Sequence, residues 1–170
     1  MDLIILGAGG FGKTIADVAE QINTFSTIRF LDDHATGEYI LGKCEDYRRF
    51  KGENVCFYPA IGENGLRLSW LDRLAEEDCR IASIVHPSAY VSPRATLEVG
   101  TAILPGAMVN TGTRLGRGVL VNMGAMIDHG CILEEGVHIC LGAIVKAENR
   151  IPALVKIEAG QIIEARSLPL

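Results

Sequence analysis

Several features are scarce in this chain of 170 residues, and each absence excludes something. Aromatic residues make up only 6%, with a single tryptophan. No apolar run approaches the ~18 residues that a membrane-spanning helix needs, and the first residues read as a strand, not as the charged start of a signal peptide. The five cysteines, Cys44, Cys56, Cys79, Cys131 and Cys140, are odd in number and form no C-x-x-C pair. Free thiols in a reducing cytosol are therefore expected, with no membrane attachment. Positive charge is not in excess either. The net charge of −5 argues against nucleic acid as the main partner. What the chain has in abundance is glycine, 19 residues, and much of it is periodic.

From Val85 the sequence divides into sixes without an insertion. The first column runs Val85, Val91, Leu97, Ile103, Val109, Leu115, Val121, Ile127, Leu133, Ile139, Val145, Ile151, Ile157, Ile163. The fourth is glycine eight times in succession, from Gly100 to Gly142. The fifth is small or β-branched through Ala143. An aliphatic side chain every sixth residue fills a narrow prism, a small one lets the wall bend at a corner, and glycine tolerates positive φ where the chain turns. Three sixes make one coil, so residues eighteen apart stack at the ~4.8 Å spacing of paired strands. This pattern predicts a left-handed parallel β-helix over residues 85–170. After Gly142 the columns lose their glycine and small residues, so residues 148–170 read as a degenerate closing coil.

Residues 1–84 differ in kind. Strands are expected at Leu3–Leu6, Thr27–Leu31, Tyr39–Leu41, Val55–Ile61 and Arg80–Val85. Helices are expected at Gly12–Gln21, Glu45–Phe50 and Leu66–Glu77. That alternation predicts a small Rossmann-like parallel α/β sheet. Its first turn reads Gly7-Ala8-Gly9-Gly10-Phe11-Gly12, and Asp32 and Asp33 end the second strand, so the elements of a dinucleotide fingerprint are present. A full dinucleotide site uses two mononucleotide halves, and this segment supplies one. The turn therefore points to a phosphate-bearing ligand such as a nucleotide sugar. A nicotinamide-dependent oxidoreductase would rest on the glycines alone, and a turn that merely packs a strand on a helix is the plain alternative.

Four histidines are present: His34, His86, His129 and His138. They are not spaced to converge on a metal, so no metal is expected. His129 occupies the outward third column of IDHGCI, at a corner of the coil. An outward imidazole is suited to act as a base, because histidine is the side chain whose ordinary charge change falls near neutral pH. Ala147, eighteen residues on, stacks beside it, and its N–H would be placed to donate to a group bound next to the imidazole, such as a thioester carbonyl.

GAGGFG, FLDD at Phe30–Asp33, AIGEN at Ala60–Asn64, IVHPSAYVSPRA and VNMGAMIDHGCI occur in that order. In this set, from Met1 to about Arg150, the chain resembles the NeuD and PglD group of bacterial sugar acyltransferases, of the sialic acid and bacillosamine type. The resemblance implies a cytoplasmic homotrimer that transfers an acetyl group from acetyl-CoA to an amino or hydroxyl group of a sugar. It implies that Gly9, Gly10, Phe11, Asp32, Asp33, Ile61 and Gly62 hold a UDP-sugar or related acceptor, with Asn122 also on the substrate side. His129 then matches the base, and His138 and Ala147 match residues beside the acetyl group. The chain departs from the group at Phe11, where histidine is frequent, and at Gly130, where many members carry an acid. Members also run several more hexapeptides, which help to bind CoA. A catalytically weakened or non-catalytic nucleotide-sugar-binding β-helix is the alternative that these departures keep open.

Overall fold

The computed structural model describes residues 1–168, so the last two residues of the closing coil lie outside the described residues. The chain divides into two compact units, Met1–Ser83 and Ile84–Leu170.

In the first unit, β1 (Asp2–Leu6) lies between β2 (Thr27–Leu31) and β3 (Val55–Pro59), all parallel. Helix α1 (Gly10–Ile22) follows β1, and α2 (Asn64–Glu76) follows β3. Ile15, Val18 and Ala19 give α1 its buried stripe. Ile4, Leu6, Leu31, Tyr47, Phe57, Trp70 and Leu74 form a core around the strands. Cys44–Phe50 is a 3₁₀ helix.

Two expected strands are not formed as such. Tyr39–Leu41 contributes only the bridge from Ile40 to Phe30, because Gly37 and Gly42, both at positive φ, turn the chain on either side. Arg80–Val85 is divided between the units. Ile81 makes a single bridge to Phe57, whereas Ile84–Val85 pairs with Ala102–Ile103 as the first rung of the second unit.

The second unit is a left-handed parallel β-helix with three faces. The first face stacks Ile84–Val85, Ala102–Ile103, Leu120–Val121, His138–Ile139 and Lys156–Ile157. The second stacks Tyr90–Val91, Met108–Val109, Met126–Ile127, Ile144–Val145 and Ile162–Ile163. The third stacks Thr96–Leu97, Arg114–Leu115, Ile132–Leu133 and Arg150–Ile151. Partners are eighteen residues apart, for instance Leu120 and His138. The first- and fifth-column side chains fill the prism from Ile103 to Ile157.

Most corners are turns closed from the second to the fifth column, as in the Ala125 N–H to Asn122 carbonyl bond of 3.0 Å. At the His129 corner the Thr113 hydroxyl stands in, donating to the Asp128 carbonyl at 2.8 Å and accepting the Cys131 N–H at 3.4 Å. The fourth column sits at φ between 61° and 75° at all eight consecutive glycines, the value a type II turn demands of its third residue. Where the sequence pattern degenerates, this geometry persists. Glu148, Leu154 and Arg166 take φ of 58°, 64° and 55° without being glycine. Asn149 enters the small fifth column and is fully buried, satisfied by the carbonyls of Lys146 and Glu164, each at 2.8 Å from its Nδ2, and by the Leu168 N–H at 2.9 Å.

Candidate active site

The glycines of the first turn separate by what surrounds them. Gly7 needs its φ of 101°, and a Cβ on Gly12 would lie 2.0 Å from the Gly7 carbonyl oxygen, so both serve the fold. Gly9 and Gly10 are exposed, and a Cβ on either would meet nothing within 4 Å. Gly9 caps α1 with no side-chain acceptor on the N-terminal N–H groups, which leaves this end open to an anion. Phe11 follows in the first turn of α1, partly exposed.

Asp32 is largely committed to the backbone. Its Oδ2 accepts the Ala8 N–H at 2.7 Å, and its Oδ1 accepts the N–H groups of His34 and Ala35 at 2.8 and 2.7 Å. These donors, Ala8 first, hold the carboxyl below its usual range against the opposing effect of burial. Asp33 is exposed and accepts the Cys44 N–H at 3.0 Å through Oδ1. The Ile61–Gly62 turn is braced by the buried Arg67, whose guanidinium donates to the Ile61 carbonyl at 2.9 Å.

On the β-helix, His129 is exposed at the corner between the second and third faces. Its carbonyl accepts the Glu148 N–H at 3.0 Å, which places Ala147 one coil along in the same third column. The residue in the second column of each turn decides what the third-column N–H does. Asn110, Asn122 and Asp128 each accept the N–H of the next residue on a side-chain oxygen, at 2.7–2.8 Å. Lys146 has no acceptor to offer, and among the described residues the Ala147 N–H donates to none.

Beside this corner lies a groove of about 370 Å³ along the second face, lined by apolar Tyr90, Met108, Met126 and Ile144 and edged by Asp128 and Lys146. The Asp128 carboxyl is held low chiefly by the His129 N–H, with help from Asn110. His138 is buried on the first face, with its Nε2 3.4 Å from Asn122 Nδ2. Within one chain the structure thus brings the named residues into two groups, His129 with Ala147 and Asn122 with His138. The second face runs between them. Among the described residues no set of three His, Cys, Asp or Glu side chains is placed to hold a metal ion.

Comparison with known proteins agrees with both units. Residues 2–74 match the PglD N-terminal domain. The acetyltransferase domain of PglB from Neisseria gonorrhoeae FA1090 is 31% identical, the match covering 97% of this chain and 83% of that one, with a TM-score of 0.94. The chain belongs to the PglD-type sugar acetyltransferases. Among PglD-type proteins, UDP-N-acetylbacillosamine N-acetyltransferase of Bacillus subtilis (strain 168) is 29% identical over 110 residues, 61% of this chain. That match spans about half, 51%, of the curated relative's length. The PglB domain also matches in its complex with acetyl coenzyme A, at a TM-score of 0.95. PerB from Caulobacter crescentus, in complex with CoA and GDP-perosamine, shares the fold at 24% identity and a TM-score of 0.76 over 99% of this chain and 91% of its own. The missed signal in the sequence was Lys146. Its contrast with Asn110 and Asp128, which hold the same column at the same corner of the preceding coils, marks a turn whose next N–H is left open among the described residues, as it also is at Leu141 after Cys140.

Proposed function

We propose that this protein is an acetyl-CoA-dependent transferase that acylates an amino or hydroxyl group of a nucleotide sugar, with His129 as general base. The observation that carries this reading is the stack at one corner: an exposed imidazole and, one coil along, the uncommitted N–H of Ala147. In the reaction the acceptor nitrogen or oxygen attacks the thioester carbonyl while His129 takes its proton. The Ala147 N–H donates to the oxyanion of the tetrahedral intermediate. Collapse expels the CoA thiolate, which takes the proton back from the imidazolium and leaves as the free thiol. The PglB domain complex with acetyl coenzyme A supports the donor.

The first unit would hold the acceptor's nucleotide part. The phosphates lie over the N–H groups of Gly9, Gly10 and Phe11, and the sugar hydroxyls lie against Asp33 and the Ile61–Gly62 turn. Asp32 shapes the turn, its carboxylate serving three N–H groups, and Oδ2, with one donor, keeps an acceptor site toward the ligand.

The working form is read as a cytoplasmic homotrimer. Tyr90, Met108, Met126 and Ile162 stand 52%, 48%, 39% and 50% exposed in one ladder along the second face, with Ile144 between them. An apolar stripe of this kind is suited to cover by another chain. Side-by-side packing would let Asn122 and His138 of one chain complete the His129 corner of the next. Release of CoA thiol, followed with a thiol reagent on mixing acetyl-CoA and a UDP-amino sugar, tests the reading. Binding of the sugar with no thiol release at any pH would support a non-catalytic nucleotide-sugar-binding protein instead.

A further inference from the structure

A base that takes a proton becomes a cation, and a carboxylate beside it fixes the ring and stabilises the charged form. Three acids are candidates near His129 in sequence or stacking. Asp128 is turned back onto its own corner, with Oδ1 accepting from the His129 N–H at 2.7 Å and from Asn110 Nδ2 at 3.0 Å. Glu135 belongs to the next corner, after Leu133, and pairs there with Arg117 at 3.2 Å.

Glu148 differs from both. It occupies the fourth column at the His129 corner, one coil on, and its N–H holds the His129 carbonyl. A Cβ on Gly130 would lie 3.3 Å from Glu148 Cγ, so the glutamate stem runs across the space that Gly130 leaves open. A side chain at 130 and this stem compete for one place. Glu148 also takes a left-handed φ of 58°, uncommon away from glycine. Behind it, Arg166 in the same column donates from Nε to Oε2 at 2.6 Å, and among the described residues Oε1 accepts no hydrogen bond.

We propose that Glu148 is a positioning residue for His129, bringing from the next coil the carboxylate that Gly130 cannot carry, with Arg166 setting its orientation. This rests on the reading of His129 as the base. The charged groups around the imidazole are Asp128, Glu148 and, behind Glu148, Arg166. Lys146 is turned to Glu164 at 2.6 Å. Among the described residues the Glu148 and His129 side chains form no direct ion pair. The Glu148 carboxyl is held below its ordinary range first by Arg166 and in smaller part by the charge of His129, so the carboxylate acts on the ring through the field at that corner.

The test uses Glu148→Gln and Arg166→Met in the full chain, with two readouts: the pH profile of kcat/KM, and the proton NMR titration of the His129 ring, assigned with His129→Ala. Glu148→Gln is expected to move the ring titration and the acid limb of the rate profile to lower pH. The plateau rate should fall by about two- to fivefold, the size an exposed charge pair carries. Arg166→Met frees the carboxylate and moves both curves the other way, a sign reversal that loss of packing would not produce. It also keeps the glutamate stem, so it serves if Glu148→Gln fails to fold. A His129 titration that moves with neither substitution overturns the pairing. Full turnover by His129→Ala would instead overturn the base, while the ring titration would still read the pairing.

Discussion

The main-chain carbonyl of His129 accepts the N–H of Glu148 at 3.0 Å, across one full coil of the β-helix. That bond ties the corner carrying the imidazole to the corner carrying Ala147. The proposed base and N–H donor thus sit in two stacked corner turns pinned to the ladder by this bond, which holds such groups at a fixed spacing.

The open N–H of Ala147 depends on what precedes it. Replacing Lys146 with Asn installs the side-chain oxygen that takes the next N–H after Asn110 and Asn122. Lys146→Asn should lower kcat by at least about tenfold, toward the 10²–10³ seen on removing one oxyanion donor. Lys146→Met, which removes the charge without adding an acceptor, should retain more of the rate. Steady-state kinetics of the two variants side by side measures the difference.

The glycines of the first turn should separate into fold and ligand positions. Gly12→Ala forces a Cβ against the Gly7 carbonyl, and overpacking of this kind costs about 1–3 kcal/mol or more. Gly9→Ala and Gly10→Ala meet no atom and should leave stability nearly unchanged while weakening nucleotide-sugar binding. Trp70, the only tryptophan, lies in the core of this unit, so its fluorescence in urea reports the first effect and calorimetry the second.

Much of this was legible in the sequence, for physical reasons that differ by unit. An insertion-free period of six leaves the β-helix no other register, and His129 and Ala147 could be stacked by counting eighteen. In the closing coil, composition misleads. Glu148, Leu154 and Arg166 hold the glycine conformation because the ladder on either side imposes it. Asp32 was legible as an acid at a strand end, but not as one serving three N–H groups, because the loop at His34 and Ala35 folds back on it. Glu148 was hidden because its relation to His129 exists only after stacking.

Asp32 should make the first unit sensitive to acid. Its carboxyl is held low in the fold, so its contribution is fully present above the unfolded value of about 3.9 and is lost as pH falls through the lower native value. Trp70 fluorescence should therefore report acid unfolding below about pH 4. Asp32→Asn should weaken the unit already at neutral pH and flatten that dependence. A pH profile unchanged by the substitution would remove Asp32 from this role.

A charge on the second face should break the oligomer without unfolding the chain. Met126 is exposed in the single chain, so Met126→Glu leaves the prism intact but places a carboxylate in the apolar stripe. Light scattering after size exclusion should show a trimer for the wild type and a monomer for the variant, with thiol release lost in parallel.

The most direct test of the central claim is kcat for His129→Ala in the thiol-release assay with acetyl-CoA and a UDP-amino sugar. A base at this position requires a fall of about 10²–10⁴, the range for a positioned acid–base group, with the assembly and its circular dichroism unchanged. Turnover equal to the wild type in that variant would contradict it.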